Sequence, residues 1–211
     1  MRTAEAEDLT ARARIREAAL FCFARDGFGA SLRTIAQEAK VSVALITHHY
    51  GTKDNLRQVC DDHVLARYRD MKLLAVAQPS SVGDSLTDNA DSSILTVYML
   101  RSLLAAGPTA QRFFDHFLTQ IETVMQASFA AGLIKESAMA PEKIRLMAAD
   151  TMGGLLITFA TNPPDDPRDF VDQAFTAERL LNQLELYRDG FFTDSPVFDQ
   201  YIAAIKEWTH D

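Results

Sequence analysis

Residues 31–56 read SLRTIAQEAKVSVALITHHYGTKDNL, which predicts two short helices, a tight turn and the start of a third helix. Ser31 is suited to cap a helix that ends near Ala39, because apolar side chains recur between them at helical spacing. After a three-residue break, Ser42 is suited to cap a second helix over residues 43–49. This order is the helix-turn-helix plan, in which the second helix enters the major groove of DNA.

Over residues 10–70 the chain resembles the TetR family of transcriptional regulators. The most specific part is HHYGTKDNL, residues 48–56, which matches the family run H-H-[FY]-x-[ST]-K-[DE]-x-L. Two shorter runs agree in register, Thr34-Ile35-Ala36 and Val41-Ser42. The chain departs from the family twice, with Lys40 in place of the usual glycine and Thr47 in place of the usual tyrosine. A non-glycine residue at the first position is strained if the turn is left-handed.

The resemblance implies which residues face DNA. The positions that contact bases in the family are Val43, Ala44, Leu45 and His48. Three of these are apolar and can contact only thymine methyl groups or sugars. We therefore expect Arg33, at the start of the preceding helix, to supply a hydrogen-bonding contact to guanine. Short polar side chains suited to phosphate oxygens are Thr34, Ser42, Thr47 and His49.

Lys53 is expected at the first position of the third helix, because Thr52 is suited to cap it. A cation there opposes the helix dipole. A DNA phosphate would remove that penalty, since the ammonium and the free backbone N–H groups could share it. The alternative is a solvated lysine. The helix is predicted to continue to residue 78 and to connect the DNA-binding end with the rest of the chain.

Charge is unevenly distributed along the 211 residues, whose formal net charge is −8. Residues 10–58 contain eight basic and four acidic side chains, a net charge of +4, so the remainder carries −12. A basic end on an acidic body suits a protein that touches DNA at one end only. Taken alone, this division is also compatible with ordinary scatter of surface charge.

Composition is that of a globular chain of one domain or two small ones. No apolar run approaches the roughly 18 residues of a membrane span, and the start lacks the apolar core of a signal peptide. We therefore expect a cytoplasmic protein that does not associate with a membrane. Cys22 and Cys60 are expected to be reduced and buried, since a redox sensor needs an exposed thiol of low pKa.

Beyond a polar loop at residues 79–92, the pattern predicts further helices over residues 92–106, 109–131, 141–161, 170–188 and 195–209. Arg101 lies in the first of these, which is nearly all apolar. It either pairs with a carboxylate of the body or faces a cavity and anchors the polar end of a ligand. The resemblance implies an effector pocket in this region, for which the candidates are Tyr98, Phe117, Met125, Met147 and Thr151. The aromatic and methionine side chains among them also suit an ordinary core.

The resemblance implies an all-α protein with a three-helix DNA-binding domain at residues 10–56 and a helical effector-binding and dimerisation domain at residues 57–211. Residues 1–9 are expected to be a disordered tail. The expected partners are a palindromic double-stranded DNA operator, a small apolar effector and a second copy of the chain. Dimerisation is expected through the helices at residues 141–161 and 170–188. The implied function is a repressor released from its operator by the effector.

No zinc-type Cys/His spacing, Gly-rich phosphate loop or nucleophile motif is present in the sequence. We therefore expect no cofactor, no metal and no enzymatic activity. Two alternatives remain open. One is a DNA-binding regulator that activates or that does not respond to a ligand. The other is an all-helical enzyme or ligand carrier that only begins like a helix-turn-helix protein.

Overall fold

The computed structural model describes residues 4–78 and 89–189, and its regular structure there is entirely helical. The α-helices are α1 Ala4–Asp26, α2 Leu32–Ala39, α3 Val43–Tyr50, α4 Lys53–Ala77, α5 Asn89–Leu104, α6 Gly107–Ala130, α7 Pro141–Thr161, α8 Phe170–Ala174 and α9 Ala177–Asp189. Two 3₁₀ turns lie at Glu136–Met139 and Pro167–Asp169. The predicted all-α fold class is confirmed. Within the described ranges, no helix has the length and apolar character needed to span a bilayer.

The chain divides into two compact units, residues 1–174 and 175–211. The first contains α1 to α8 and the second contains α9. A single helix over residues 170–188 was the expectation, and it is wrong, because the structure has two helices separated by Phe175 and Thr176. The Thr176 hydroxyl accepts a hydrogen bond from the Arg179 N–H at 3.3 Å, so it caps a new helix start. The helix predicted at residues 195–209 lies outside the described residues.

The three predicted N-caps are confirmed. Ser31, Ser42 and Thr52 each accept, at 3.1 Å, a hydrogen bond from the backbone N–H of the third residue after it. Each cap satisfies one of the N–H groups that a helix start leaves without an intrahelical partner. The starts of α2, α3 and α4 are therefore determined by local chemistry, at the positions that the sequence indicated.

The first helix begins earlier than expected. We predicted a disordered tail over residues 1–9, but α1 starts at Ala4. The sequence AEAEDL, residues 4–9, explains the difference, because alanine and glutamate favour helix and acidic residues favour a helix N-terminus. The helix ends before Gly27, which has a φ of 74° and donates its N–H to the Phe23 carbonyl at 3.0 Å.

The turn between α2 and α3 is left-handed at Lys40, which has φ 54° and ψ 47°. The Lys40 N–H donates to the Gln37 carbonyl at 3.2 Å, and the Val41 N–H donates to the Ala36 carbonyl at 3.0 Å. This pair of bonds is the Schellman arrangement, whose left-handed residue is usually glycine. A side chain with a Cβ costs about 1 kcal/mol or more in that conformation. Lys40 therefore makes the turn under strain.

Arg101 joins the body to the last turn of α1. Its Nε donates to the Ala24 carbonyl at 3.2 Å and its Nη2 to the Arg25 carbonyl at 3.1 Å, while its guanidinium lies 5.2 Å from the ring centroid of Phe159. The interpretation that Arg101 pairs with a carboxylate is wrong, because its hydrogen bonds among the described residues go to backbone carbonyls. The interpretation that it anchors a ligand stays a prediction. The last carbonyls of α1 lack intrahelical partners, and a cation at a helix C-terminus is favourable.

Tyr98 lies on α5, one turn before Arg101, and is fully buried. We call the contacts of Tyr98 and Arg101 with the end of α1 the junction. Its ring centroid is 6.3 Å from that of Phe23 and 5.4 Å from that of Phe28. Its hydroxyl donates to Asp61 Oδ1 at 2.6 Å. A residue of α5 thus packs against the end of α1 and hydrogen-bonds to α4, so the body and the DNA-binding helices share one core.

Both cysteines behave as small buried hydrophobes. Cys22 and Cys60 are free and fully buried. Burial raises the pKa of the Cys22 thiol to about 11 and raises the pKa of Cys60 as well. A thiol with a raised pKa is a poor nucleophile at neutral pH, which argues against a redox sensor at either position.

The environment of Asp61 leads to a testable prediction. Burial raises the pKa of Asp61, and the Tyr98 hydrogen bond lowers it in part. A raised folded-state pKa gives stability at low pH that is lost as the pH rises through that pKa. We therefore expect Asp61→Asn to be more stable than the parent at pH 7, with a gain that shrinks towards pH 4, in chemical denaturation across that range. Asp165→Asn, at an exposed aspartate away from this site, is the matched control. An identical pH profile in Asp61→Asn and the parent would contradict this assignment.

Candidate nucleic-acid interface

Helix α3 has one buried and one accessible side. Ile46 is 1% exposed and Tyr50 is 6% exposed, and both face the core of the head, which we define as α1, α2, α3 and the start of α4. On the other side the exposed residues are Val43, Ala44, Thr47 and His48, with Leu45 and His49 half-buried. The residues expected to contact bases therefore lie on the accessible side of α3, while Ile46 and Tyr50 pack its opposite side against the core of the head.

Tyr50 holds α3 against α1. Its hydroxyl donates to the Arg12 carbonyl at 2.7 Å, and the Arg12 guanidinium lies 5.6 Å from the centre of its ring. Burial raises the pKa of Tyr50, so the phenol stays protonated and can donate. Sequence reasoning missed this contact, because nothing in the local pattern marks a backbone carbonyl 38 residues earlier as the partner of Tyr50.

The short polar residues differ in what they can still offer to a phosphate. Ser42 accepts the Leu45 N–H through its Oγ, which leaves its own proton available for donation. Thr34 Oγ1 lies 2.9 Å from Ser31 Oγ, so one of the two hydroxyl protons is shared between them. Thr47 donates its proton to the Val43 carbonyl at 3.2 Å. In this conformation Thr47 can only accept, and a phosphate contact would require its hydroxyl to turn.

Cations around α3 lack partners. Arg33 and Lys40 are exposed and Lys53 is half-buried at the first position of α4. Within residues 4–78 and 89–189, none of these three side chains forms a hydrogen bond or an ion pair. They lie at the start of α2, in the turn before α3 and at the start of α4, so free positive charge flanks the accessible helix on both sides in sequence.

Three acidic groups of the head are engaged with arginines. Glu17 pairs with Arg16 at 2.8 Å. Asp26 pairs with Arg25 at 2.7 Å, and Glu38 lies 3.9 Å from the same guanidinium. Two arginines offset most of the charge of these three carboxylates. With the exposed Asp54 included, residues 10–58 keep a net charge of +4, which favours an approaching polyanion.

The ligand candidates named from the sequence are dispersed. Tyr98 and Arg101 belong to the junction described above. Phe117 and Met125 are buried on α6, where the ring of Phe117 lies 5.1 Å from that of Tyr68. Met147 and Thr151 are half-buried on α7. None of the six lines either of the two cavities described next.

Two cavities lie elsewhere in the first unit. The larger, of about 450 Å³, lies where α1, α2, α4 and α5 meet, and its lining includes Arg14, Phe21, His63, Arg67, Leu95 and Arg168. The smaller, of about 360 Å³, lies between α4 and α6. Sequence reasoning missed both, since their walls come from helices that are distant in the chain. No cluster of metal-binding side chains occurs among the residues that the structure describes.

His63 in the larger cavity is near a carboxylate but not hydrogen-bonded to it. Its Nε2 lies 3.5 Å from Glu17 Oε1. Burial lowers the pKa of His63, so the imidazole is neutral at pH 7. The wall of this cavity therefore combines apolar side chains, guanidinium groups and a neutral histidine with the carboxylates of Glu17, Glu38 and Asp91.

The fold and this face define a helix-turn-helix DNA-binding protein with a helical body. Residues 15–60 match the family described as bacterial regulatory proteins of the tetR family, and residues 91–193 match the tetracyclin repressor-like C-terminal domain. The chain is also 33% identical, over 95% of both chains, to the HTH-type transcriptional regulatory protein RaaS of Mycobacterium tuberculosis strain ATCC 25618 / H37Rv. The chain belongs to the TetR family of transcriptional regulators. Members bind DNA operators, dimerise through the C-terminal domain and are not enzymes.

Solved structures share the fold at low sequence identity. One, described as the molecular basis for control of antibiotic production by a bacterial hormone, is 18% identical with a TM-score of 0.59, covering 88% of this chain and 98% of that one. A Clostridium perfringens protein described as a fatty acid metabolism regulator is 16% identical with a TM-score of 0.52, covering 86% of this chain and 100% of that one. At these identities the likeness concerns the fold alone.

The position of Lys53 predicts a sequence-independent contribution to DNA binding. We expect Lys53→Ala to reduce affinity about fivefold at physiological salt and to flatten the dependence of log K on log salt by about 0.9, the effect of one lost phosphate contact. Thermal stability should not fall, because the substitution removes a cation from a helix N-terminus. Lys135→Ala, at an exposed lysine between α6 and α7, is the control for net charge. Fluorescence anisotropy at several salt concentrations measures both quantities, and an unchanged slope would contradict the phosphate contact.

Proposed function

We propose that this regulator is a homodimeric repressor that binds a palindromic operator and is released from it by a small effector. The accessible face of α3 carries the proposal, since Ile46 and Tyr50 anchor the helix from behind while unpaired cations flank it. Two such heads related by a twofold axis would read two half-sites whose spacing the dimer sets.

Base recognition in this proposal combines apolar contacts with one arginine. Val43 and Ala44, at the exposed start of α3, suit thymine methyl groups. Arg33 supplies the hydrogen-bonding contact to guanine. Its guanidinium is available for this contact because it has no partner among the described residues. Thr34, Ser42, Thr47, His48 and His49 act as positioning contacts, with Lys53 on a phosphate.

Dimerisation is proposed through α7 and α9. On α7 the exposed side chains of Leu146, at 62%, and Ile157, at 67%, share one face with Gly153. A Cβ added at Gly153 would meet no described atom within 4 Å, so a neighbouring helix could approach the backbone closely at this point. On α9, Leu181 and Leu186 are 59% and 40% exposed. Exposed apolar residues repeated along a helix are expected where a partner covers them.

Effector response is supported by the larger cavity. Its volume lies within the range of small-molecule sites, and its walls come both from the head and from α5 of the body. A ligand that fits one arrangement of these walls better than another would shift the heads, and a coupling of about 1–3 kcal/mol changes DNA affinity roughly 5–150-fold. Phe117, Met125, Met147 and Thr151 remain the proposed lining of a second, more apolar site between α6 and α7.

Arg33 predicts a change in specificity. We expect Arg33→Ala to relax preference at one base pair of each half-site, with a loss of about 1–3 kcal/mol of discrimination there and little change at other positions. Binding to a panel of operators that differ at single base pairs measures this. A uniform loss across the panel would show instead that Arg33 contacts a phosphate.

Ile157 predicts a change in assembly. We expect Ile157→Glu to convert the dimer to a monomer, because burying an unpaired carboxylate at the interface costs several kcal/mol. Sedimentation analysis measures the mass, and operator affinity should fall because each head would then bind alone. Leu104→Glu is the control, because it makes the same change at a side chain on α5 that is 56% exposed and lies outside the proposed interface. It should remain a dimer. A dimeric Ile157→Glu protein would contradict the proposed interface.

Footprinting on genomic DNA at physiological salt is the test of the function itself. A protected palindrome is expected, together with a reporter whose transcription rises when the regulator is deleted. Absence of protection on all fragments would contradict sequence-specific binding. A reporter whose transcription falls on deletion would show an activator, and affinity that no candidate ligand changes would exclude effector release.

A further inference from the structure

We propose that Lys40 is a DNA phosphate contact, held in the turn between α2 and α3. The proposal rests on the DNA-binding function proposed above and adds to it a cation that the family resemblance does not supply, since the family usually has glycine at this position. The observation behind it is a strained lysine whose side chain has nothing to bind within the described parts of the chain.

The backbone of this turn does not call for lysine. Both Schellman hydrogen bonds are made by main-chain groups, from the Lys40 N–H to the Gln37 carbonyl and from the Val41 N–H to the Ala36 carbonyl. Glycine would form the same bonds at a φ of 54° without the cost of a Cβ. Folding stability therefore favours glycine at this position.

The side chain does not recover that cost inside the protein. Lys40 is exposed, and among residues 4–78 and 89–189 its ammonium forms no hydrogen bond or ion pair. Glu38, two residues earlier, lies 3.9 Å from the Arg25 guanidinium instead. Backbone strain that no internal contact repays is a reason to look for a function outside the folded chain.

The position of Lys40 suits a phosphate. It lies two residues before Ser42, the N-cap of α3, and so at the end of that helix expected to approach the groove. Lysine acts on phosphates as a flexible point charge that needs no fixed geometry. With Arg33 at the start of α2 and Lys53 at the start of α4, it would complete a set of three cations distributed around the reading helix.

Substitution by glycine separates the two roles of this residue. We expect Lys40→Gly to raise the melting temperature by about 2–4 °C, because the strain is removed. We also expect its affinity for operator and for unrelated DNA to fall alike, about fivefold at physiological salt, with a salt slope shallower by about 0.9. Lys40→Arg should keep both the affinity and the slope, and Lys40→Asn should lose them, since asparagine tolerates a left-handed backbone but carries no charge.

Lys135→Ala removes the same charge from the segment between α6 and α7 and should leave the slope unchanged. An unaltered affinity and slope in Lys40→Gly, alongside weakened binding by Lys53→Ala, would overturn the Lys40 contact while leaving the proposed function intact. A loss of affinity without a change of slope would also overturn it, because Lys40 would then act through the shape of the turn. A parent protein that binds no DNA at all would overturn both proposals.

Discussion

The hydrogen bonds from Arg101 to the Ala24 and Arg25 carbonyls connect the part of the chain that would read DNA to the body behind it. Helix α2 and helix α3 both pack on α1. The contacts that hold the end of α1 in place therefore also hold α3 in place. Tyr98, one turn earlier on α5, fills the space beside the same end of α1. Because α5 supplies both side chains, a shift of α5 would be transmitted to the head without a flexible link.

In the proposed effector response, α4 would transmit a movement between the body and the head. Helix α4 has 25 residues and is therefore about 37 Å long. It begins beside the proposed phosphate contact of Lys53, and farther along it meets α5 through the bond from Tyr98 to Asp61. The larger cavity lies where α1, α2, α4 and α5 meet, so an occupant would touch the elements that set the position of α3.

The electrostatics of the head depend on pairing more than on composition. The chain is acidic overall, with a formal net charge of −8. Within the head, Arg16 and Arg25 neutralise nearby carboxylates, whereas Arg33, Lys40 and Lys53 make no such contacts among the described residues. The free positive charge near α3 thus comes from the cations that lack a partner. Counting charges along the sequence could indicate only the sign of the net charge.

Much of the secondary structure could be predicted from the sequence, because it depends on local chemistry. The caps at Ser31, Ser42 and Thr52 and the glycine after α1 depend on groups a few residues apart, so spacing alone located the helix-turn-helix unit and the bounds of α4 and α7. The break at Thr176 and the early start of α1 were missed, because weak local signals there compete with equally plausible continuations.

Tertiary structure alone decided what the long-range groups bind. Arg101 reaches carbonyls more than 70 residues away, and Tyr50 reaches one 38 residues away; no periodicity encodes such pairs. The cavities likewise arise only where several helices meet. The sequence by itself determined most of the helices, the caps at Ser31, Ser42 and Thr52, and the resemblance to the family. The packing decided how the reading helix is held and which cations stay free, because contacts between distant segments exist only once the chain is folded.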